Sequence, residues 1–132
     1  MANDYILLLA RVVLGFYFLF NSFNHFRNLN SLAGWVQSKN VPAPKFMVTL
    51  TGILLLIGGL SILLGAYIEI GILALTLFFL PVTFVMHDFW RETDPQIKMM
   101  QIVNFMKNLA LWAAILALLF VPKPWSLSLS LF

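Results

Sequence analysis

Acidic and basic residues fall at intervals that leave four long apolar stretches. Fifteen residues without an acid or strong base separate Arg11 from Arg27, 23 run from Phe46 to Ile68, eighteen from Ile70 to His87 and fifteen from Asn108 to Pro122. A helix rises 1.5 Å per residue, so about 20 mostly apolar residues cross a ~30 Å hydrocarbon layer. The two shorter stretches reach that length when Arg11 and Lys107 lie inside their helices. The pattern therefore predicts an all-α, integral membrane four-helix bundle, one transmembrane domain over 1–132 with spans at about 5–26, 46–66, 67–90 and 101–121. Runs this continuous lack the alternation of a barrel strand, and in lipid only helices and closed barrels satisfy every backbone group.

The connections follow from the same pattern. Residues 27–45 form the one long, interfacial loop, in which Asn28, Asn30 and Ser31 are candidate caps for a short helix through Gln37. Its Trp35 suits headgroup level. Val41-Pro-Ala-Pro44 then predicts extended chain, because proline and the residue before it resist helix. The turn at Gly65-Ala66-Tyr67 is so short that spans two and three must form an antiparallel hairpin. The first span has no basic leader and no small-x-small site before Arg27, so it reads as retained, not as a cleaved signal. Arg27, Lys39, Lys45, Arg91 and Lys98 fall on one side and Lys123 on the other, which predicts a cell-membrane protein with both termini non-cytoplasmic.

Composition strengthens this and removes other classes. Of 132 residues 61% are apolar and 10% charged, with a mean hydropathy of +0.93. A chain this short cannot hide so much apolar surface in a water-soluble core, so the lipid bilayer is the expected partner. The absence of cysteine excludes disulfides, thiolate metal or iron–sulfur sites and thiol nucleophiles, and no metal site is expected. The net charge of +3 comes from scattered single residues, not a basic stripe, which argues against nucleic acid.

An ionisable group within a span costs about 2.5–3.5 kcal/mol, so each needs a partner or a task. Helical spacing places Arg11, Gly15, Phe18, Ser22 and His25 on one stripe of span one. Glu69, Thr76, Leu80, Thr83 and His87 form a second stripe on span three, and Gln101, Asn104, Asn108 and Trp112 a third on span four. Span two instead carries Gly52, Gly58, Gly59, Ser61 and Gly65, which permit close helix approach. Spans one and three run the same way, so His25 and His87 share a level with Asn104, Lys107 and Asn108. Arg11 and Glu69 share the opposite level and suit a structural ion pair. The histidines admit three readings: hydrogen-bonded interfacial side chains, a proton-handling or quinone-contacting site with Asn104 or Asn108, or paired haem ligands. Asp88 reads as an interfacial acid, and Pro81 predicts a kink that leaves the Leu77 carbonyl without its helix donor. Trp35, Trp90 and Trp125 read as boundary residues, with Trp112 deeper.

Several short motifs bring a family into view. Arg11-Val-Val-Leu-Gly15 followed by His25, Gly52-Ile-Leu-Leu-Leu-Ile-Gly58-Gly59, His87-Asp-Phe-Trp90, and Gln101 with Phe105-Met-Lys107-Asn108-Leu-Ala110 resemble DoxX-like membrane proteins. The resemblance implies a four-helix membrane bundle. Some members are linked to thiosulfate:quinone oxidation and others are small membrane partners of redox or detoxifying enzymes. Trp112-Ala-Ala114 departs from the pattern where relatives often carry glycine. The function expected is a membrane subunit of a redox system, contacting quinone near the cytoplasmic boundary through His25, His87 and Asn108. It would act with another membrane or peripheral protein, or with a second copy of itself. The alternative is a non-catalytic anchor that recruits a partner protein.

Overall fold

The computed structural model describes residues 1–129. Five α-helices account for most of it: α1 (Ala2–Arg27), α2 (Leu29–Ser38), α3 (Pro44–Leu64), α4 (Ile68–Met86) and α5 (Pro95–Ala117). Among the described residues there is no strand. All except α2 are long and apolar enough to cross a bilayer, the third and fourth stretches reaching Arg91 and Phe120 through short 3-10 turns. α3 is the central element, packing against α1, α2 and α4, while α5 leans on α4. The bundle has two ends. One carries α2, and the other carries the tight turn between α3 and α4.

Local chemistry sets the helix limits. α3 opens with Pro44 in its first turn, where the missing N–H costs nothing, and closes on Gly65 in the left-handed region at φ 69°. A Cβ on Gly65 would sit 2.7 Å from Arg11 Nη2, so both backbone and neighbour call for glycine there. α5 opens on Asp94, whose carboxylate accepts from the backbone N–H of Gln96 at 2.8 Å and of Ile97 at 3.3 Å. It therefore begins almost two turns before the span predicted from residue 101. Between α3 and α4 the small residues have the expected use. A Cβ on Gly58 would overlap Leu75, and one on Gly71 would overlap Ser61, at 2.3 Å each.

Several expectations change. The third span is not helical to Trp90: α4 stops at Met86, His87 caps it, and Phe89–Arg91 forms a 3-10 turn. α2 forms where a short helix was expected, but without a side-chain cap, because Asn28 turns its amide back to Asn24. The stretch from Val41 to Pro44 is not extended. Asn40 and Ala43 are left-handed, at φ 59° and 49°, which turns the chain within a few residues from α2 into α3. Trp125 is not a boundary residue. It is buried against Ile68 and Ile72, within a C-terminal segment that folds back over the turn end.

Candidate functional site

A cavity of about 330 Å³ lies inside the α2 end, at the lower limit of small-molecule sites. Leu32, Trp35 and Val36 of α2 roof it, and Phe18, Leu55, Phe78 and Phe79 close its base. Its polar lining includes Asn21, Asn24 and His25 on α1, Thr51 on α3, His87 after α4, and Lys107 and Asn108 on α5, with the Tyr17 side chain also bordering it. The structure thus brings His25, His87 and Asn108 to one space. Asn104 does not border it. It lies half-buried one turn nearer the start of α5.

Both imidazoles are oriented by their Nδ1 atoms. His25 Nδ1 stands 2.8 Å from the backbone oxygen of Asn21. A carbonyl can only accept, so Nδ1 carries the hydrogen and neutral Nε2 is left as an acceptor. His87 Nδ1 stands 2.7 Å from Oε1 of buried Gln101, which ties the end of α4 to α5 and, with that oxygen accepting, gives the same tautomer. The ring of Phe78 meets His25 at 5.9 Å, and the Trp35 indole meets His87 at 5.7 Å. Lys107 is the one charged residue in the lining, and it forms no ion pair among the described residues. Neutral acceptors, amide groups and an ammonium therefore face one apolar chamber. That arrangement offers both hydrogen-bond donors and acceptors within apolar walls.

Beside the cavity, Lys39 reaches from the end of α2 to Asp88, with Nζ 2.5 Å from Oδ1 and both side chains largely buried. Glu92 and Arg91 complete the cluster at 3.9 Å each. Asp88 is therefore the anchor of the roof. The roles of Trp35, Lys39 and Lys107 were not legible in the helical stripes, since roof and clasp join segments far apart in sequence. Asn21 had a local signal: it precedes His25 by one turn, on the side of α1 that carries the stripe.

Arg11 and Glu69, expected to pair, do not. Glu69 is exposed and bonds Lys123. Arg11 is 2% exposed and donates from Nε to the Ile62 carbonyl at 3.2 Å and from Nη2 to Leu63 at 3.0 Å. Its Nη1 donates to Ser126 at 2.8 Å and Leu127 at 3.4 Å, and Trp125 lies 5.7 Å from the guanidinium. The last carbonyls of α3 form the negative end of that helix, so a buried cation is satisfied there without an acid. Thr76 donates to the Ile72 carbonyl at 2.8 Å and accepts from Trp112 Nε1 at 3.1 Å. Trp112 braces α5 against α4 and does not line the cavity. Among the described residues no three His, Asp or Glu side chains cluster as metal ligands.

Four apolar helices of membrane-spanning length, a chamber among them and a short helix across its end define a small multi-pass helical membrane protein. The family model of DoxX matches residues 6–88, and the chain belongs to the DoxX family. The match covers α1 to α4, so Lys107 and Asn108 on α5 lie beyond it. No curated protein and no solved structure matches the chain.

Proposed function

We propose that this protein is a membrane subunit of a redox system and holds a quinone-type ring in the chamber at the α2 end. The observation that carries the reading is that His25, His87, Lys107 and Asn108 share one apolar-walled cavity. Amide and ammonium N–H groups suit the carbonyls of an oxidised ring, and the two Nε2 acceptors suit the hydroxyls of a reduced one. A chamber of about 330 Å³ accommodates one substituted ring better than a four-ring macrocycle, which favours quinone over haem. The protein's role in this reading is to bind and orient the ring, with electrons exchanged at a partner protein.

Purification from native membranes, followed by solvent extraction and an absorption spectrum, tests the reading. The expected result is a bound quinone that falls by about tenfold in His25→Ala and His87→Ala, equivalent to roughly 1.4 kcal/mol of binding, while the purified variants remain helical. A Soret band would replace quinone with haem, and full tolerance of both substitutions would favour the anchor reading. One observation speaks for an anchor role or a docked partner. α5 is the least covered span, with 11% of its most apolar window buried against 44% for the span containing α4.

We further propose the cell membrane as the location, with the α2 end cytoplasmic. Arg27, Lys39, Lys45, Arg91 and Lys98 gather at that end, against Lys123 at the other. The natural chain has no cysteine, so a single Thr93→Cys substitution reports orientation directly. An impermeant maleimide should label it only after the cells are opened. Labelling of intact cells would reverse the orientation.

A further inference from the structure

The axial route into the chamber is shut by α2, whose Trp35 lies on His87 and whose last turn is held by the Lys39–Asp88 pair. The side is different. α1 packs along α3 and α5 along α4, but α1 and α5 form no helix packing of their own. Towards the turn end Leu14 of α1 and Leu111 of α5 pack against the same apolar cluster. Towards the α2 end the chamber separates them. Apart from Trp35 in the roof, the exposed lining residues are Tyr17 on α1, Pro81 and Val85 on α4, and Lys107 on α5. Pro81 and Val85 are one helical turn apart, in the middle and inner part of a membrane span, and they form an apolar floor between α1 and α5.

We propose that the chamber is filled sideways from the bilayer through this slot, and that its ligand is a ring with a long apolar chain. The ring lies among the histidines and the chain lies over Pro81 and Val85. This rests on the ring-binding reading above. A chain that passes from lipid into an apolar slot loses no hydration, because it had none, and it keeps the ring oriented with its oxygens inward. Lys107 stands at the lip, where its ammonium meets the ring oxygens first. A water-soluble ligand has no such match, since the floor of the slot presents no polar side chain.

The test is equilibrium binding to the whole protein in lipid nanodiscs, using decyl-substituted benzoquinone and its methyl counterpart. Affinities are referred to the concentration of each quinone inside the bilayer, so partitioning does not enter. Val85→Trp fills the slot without touching the histidines. It should weaken the decyl compound about tenfold and leave the methyl compound within about twofold. Tyr17→Trp, on the facing wall, carries the same expectation if Val85→Trp does not fold. If wild-type protein binds both quinones and the tryptophan variants change neither, or weaken both equally, the slot is not the chain's site and the ring-binding reading stands. If wild-type protein binds neither quinone, the ring-binding reading fails and the slot proposal falls with it.

Discussion

A guanidinium held by four carbonyl oxygens has no acid to lose, so its contribution is tested by removing donors and not by removing a countercharge. Arg11→Met would leave the carbonyls of Ile62, Leu63, Ser126 and Leu127 without their side-chain donor. The loss should amount to about 3 kcal/mol, since a buried group left unsatisfied costs about 1–3 kcal/mol and only the bond to Ile62 is fully buried, the other three being partly open to solvent. Arg11→Lys should recover less than half of that, because an ammonium cannot spread its donors as a planar fork does. Glu69→Gln should change stability by less than about 0.5 kcal/mol, as expected for an exposed ion pair. Thermal unfolding in detergent checks all three. A loss on Glu69→Gln equal to that on Arg11→Met would restore the ion pair as the brace of this end. Among the described residues, Thr83 Oγ1 is the buried side-chain polar atom with no partner, and the structure offers no account of it.

Helices differ in how openly the chain announces them. The gaps between charges mark α1, α3, α4 and α5 because hydrophobic length alone decides what crosses a bilayer. The end of α4 is placed too late by the apolar pattern because Phe89 and Trp90, as apolar as the helix before them, extend the span past His87 and Asp88, where the charge-free run itself stops. The C-terminal fold-back was hidden for another reason: Arg11 takes the backbone carbonyls of Ser126 and Leu127, and a carbonyl has no residue type to signal it. Helical spacing did align His25, His87 and Asn108, since all three follow the periodicity of stripes that face the bundle interior. It also offered Asn104, which shares a stripe with Asn108 but lies beyond the chamber. The roof depends on contacts between distant segments, with Lys39 on Asp88 and Trp35 on His87. Lys39→Met leaves the buried Asp88 carboxylate without its closest cation, which typically costs about 3–5 kcal/mol. That cost should fall on α2 alone, read as faster amide exchange over residues 29–38 with α3 unchanged. Equal acceleration in α3 would mean that α2 is part of the core and not a roof over it.

For the molecule as a whole, lipid outside and a polar chamber inside are two consequences of one arrangement. The spans present Phe16, Phe20, Phe23, Leu73 and Leu77 outward, while Arg11 at one end and His25, His87 and Asn108 at the other turn inward. One end uses them to lock the chain, through Arg11. The other leaves two imidazole acceptors around open space, and that difference is why the α2 end carries the functional reading. Trp35 provides a direct probe of that space, because it lines the chamber and lies 5.7 Å from His87. Titration of the nanodisc-embedded protein with decyl-substituted benzoquinone should quench a fraction of the tryptophan emission with a saturating curve. That saturable fraction should disappear in Trp35→Phe and shift to higher concentration in His87→Ala. Quenching that rises without saturation, and to the same extent in all three proteins, would show quinone dissolved in lipid and no ring bound beneath α2.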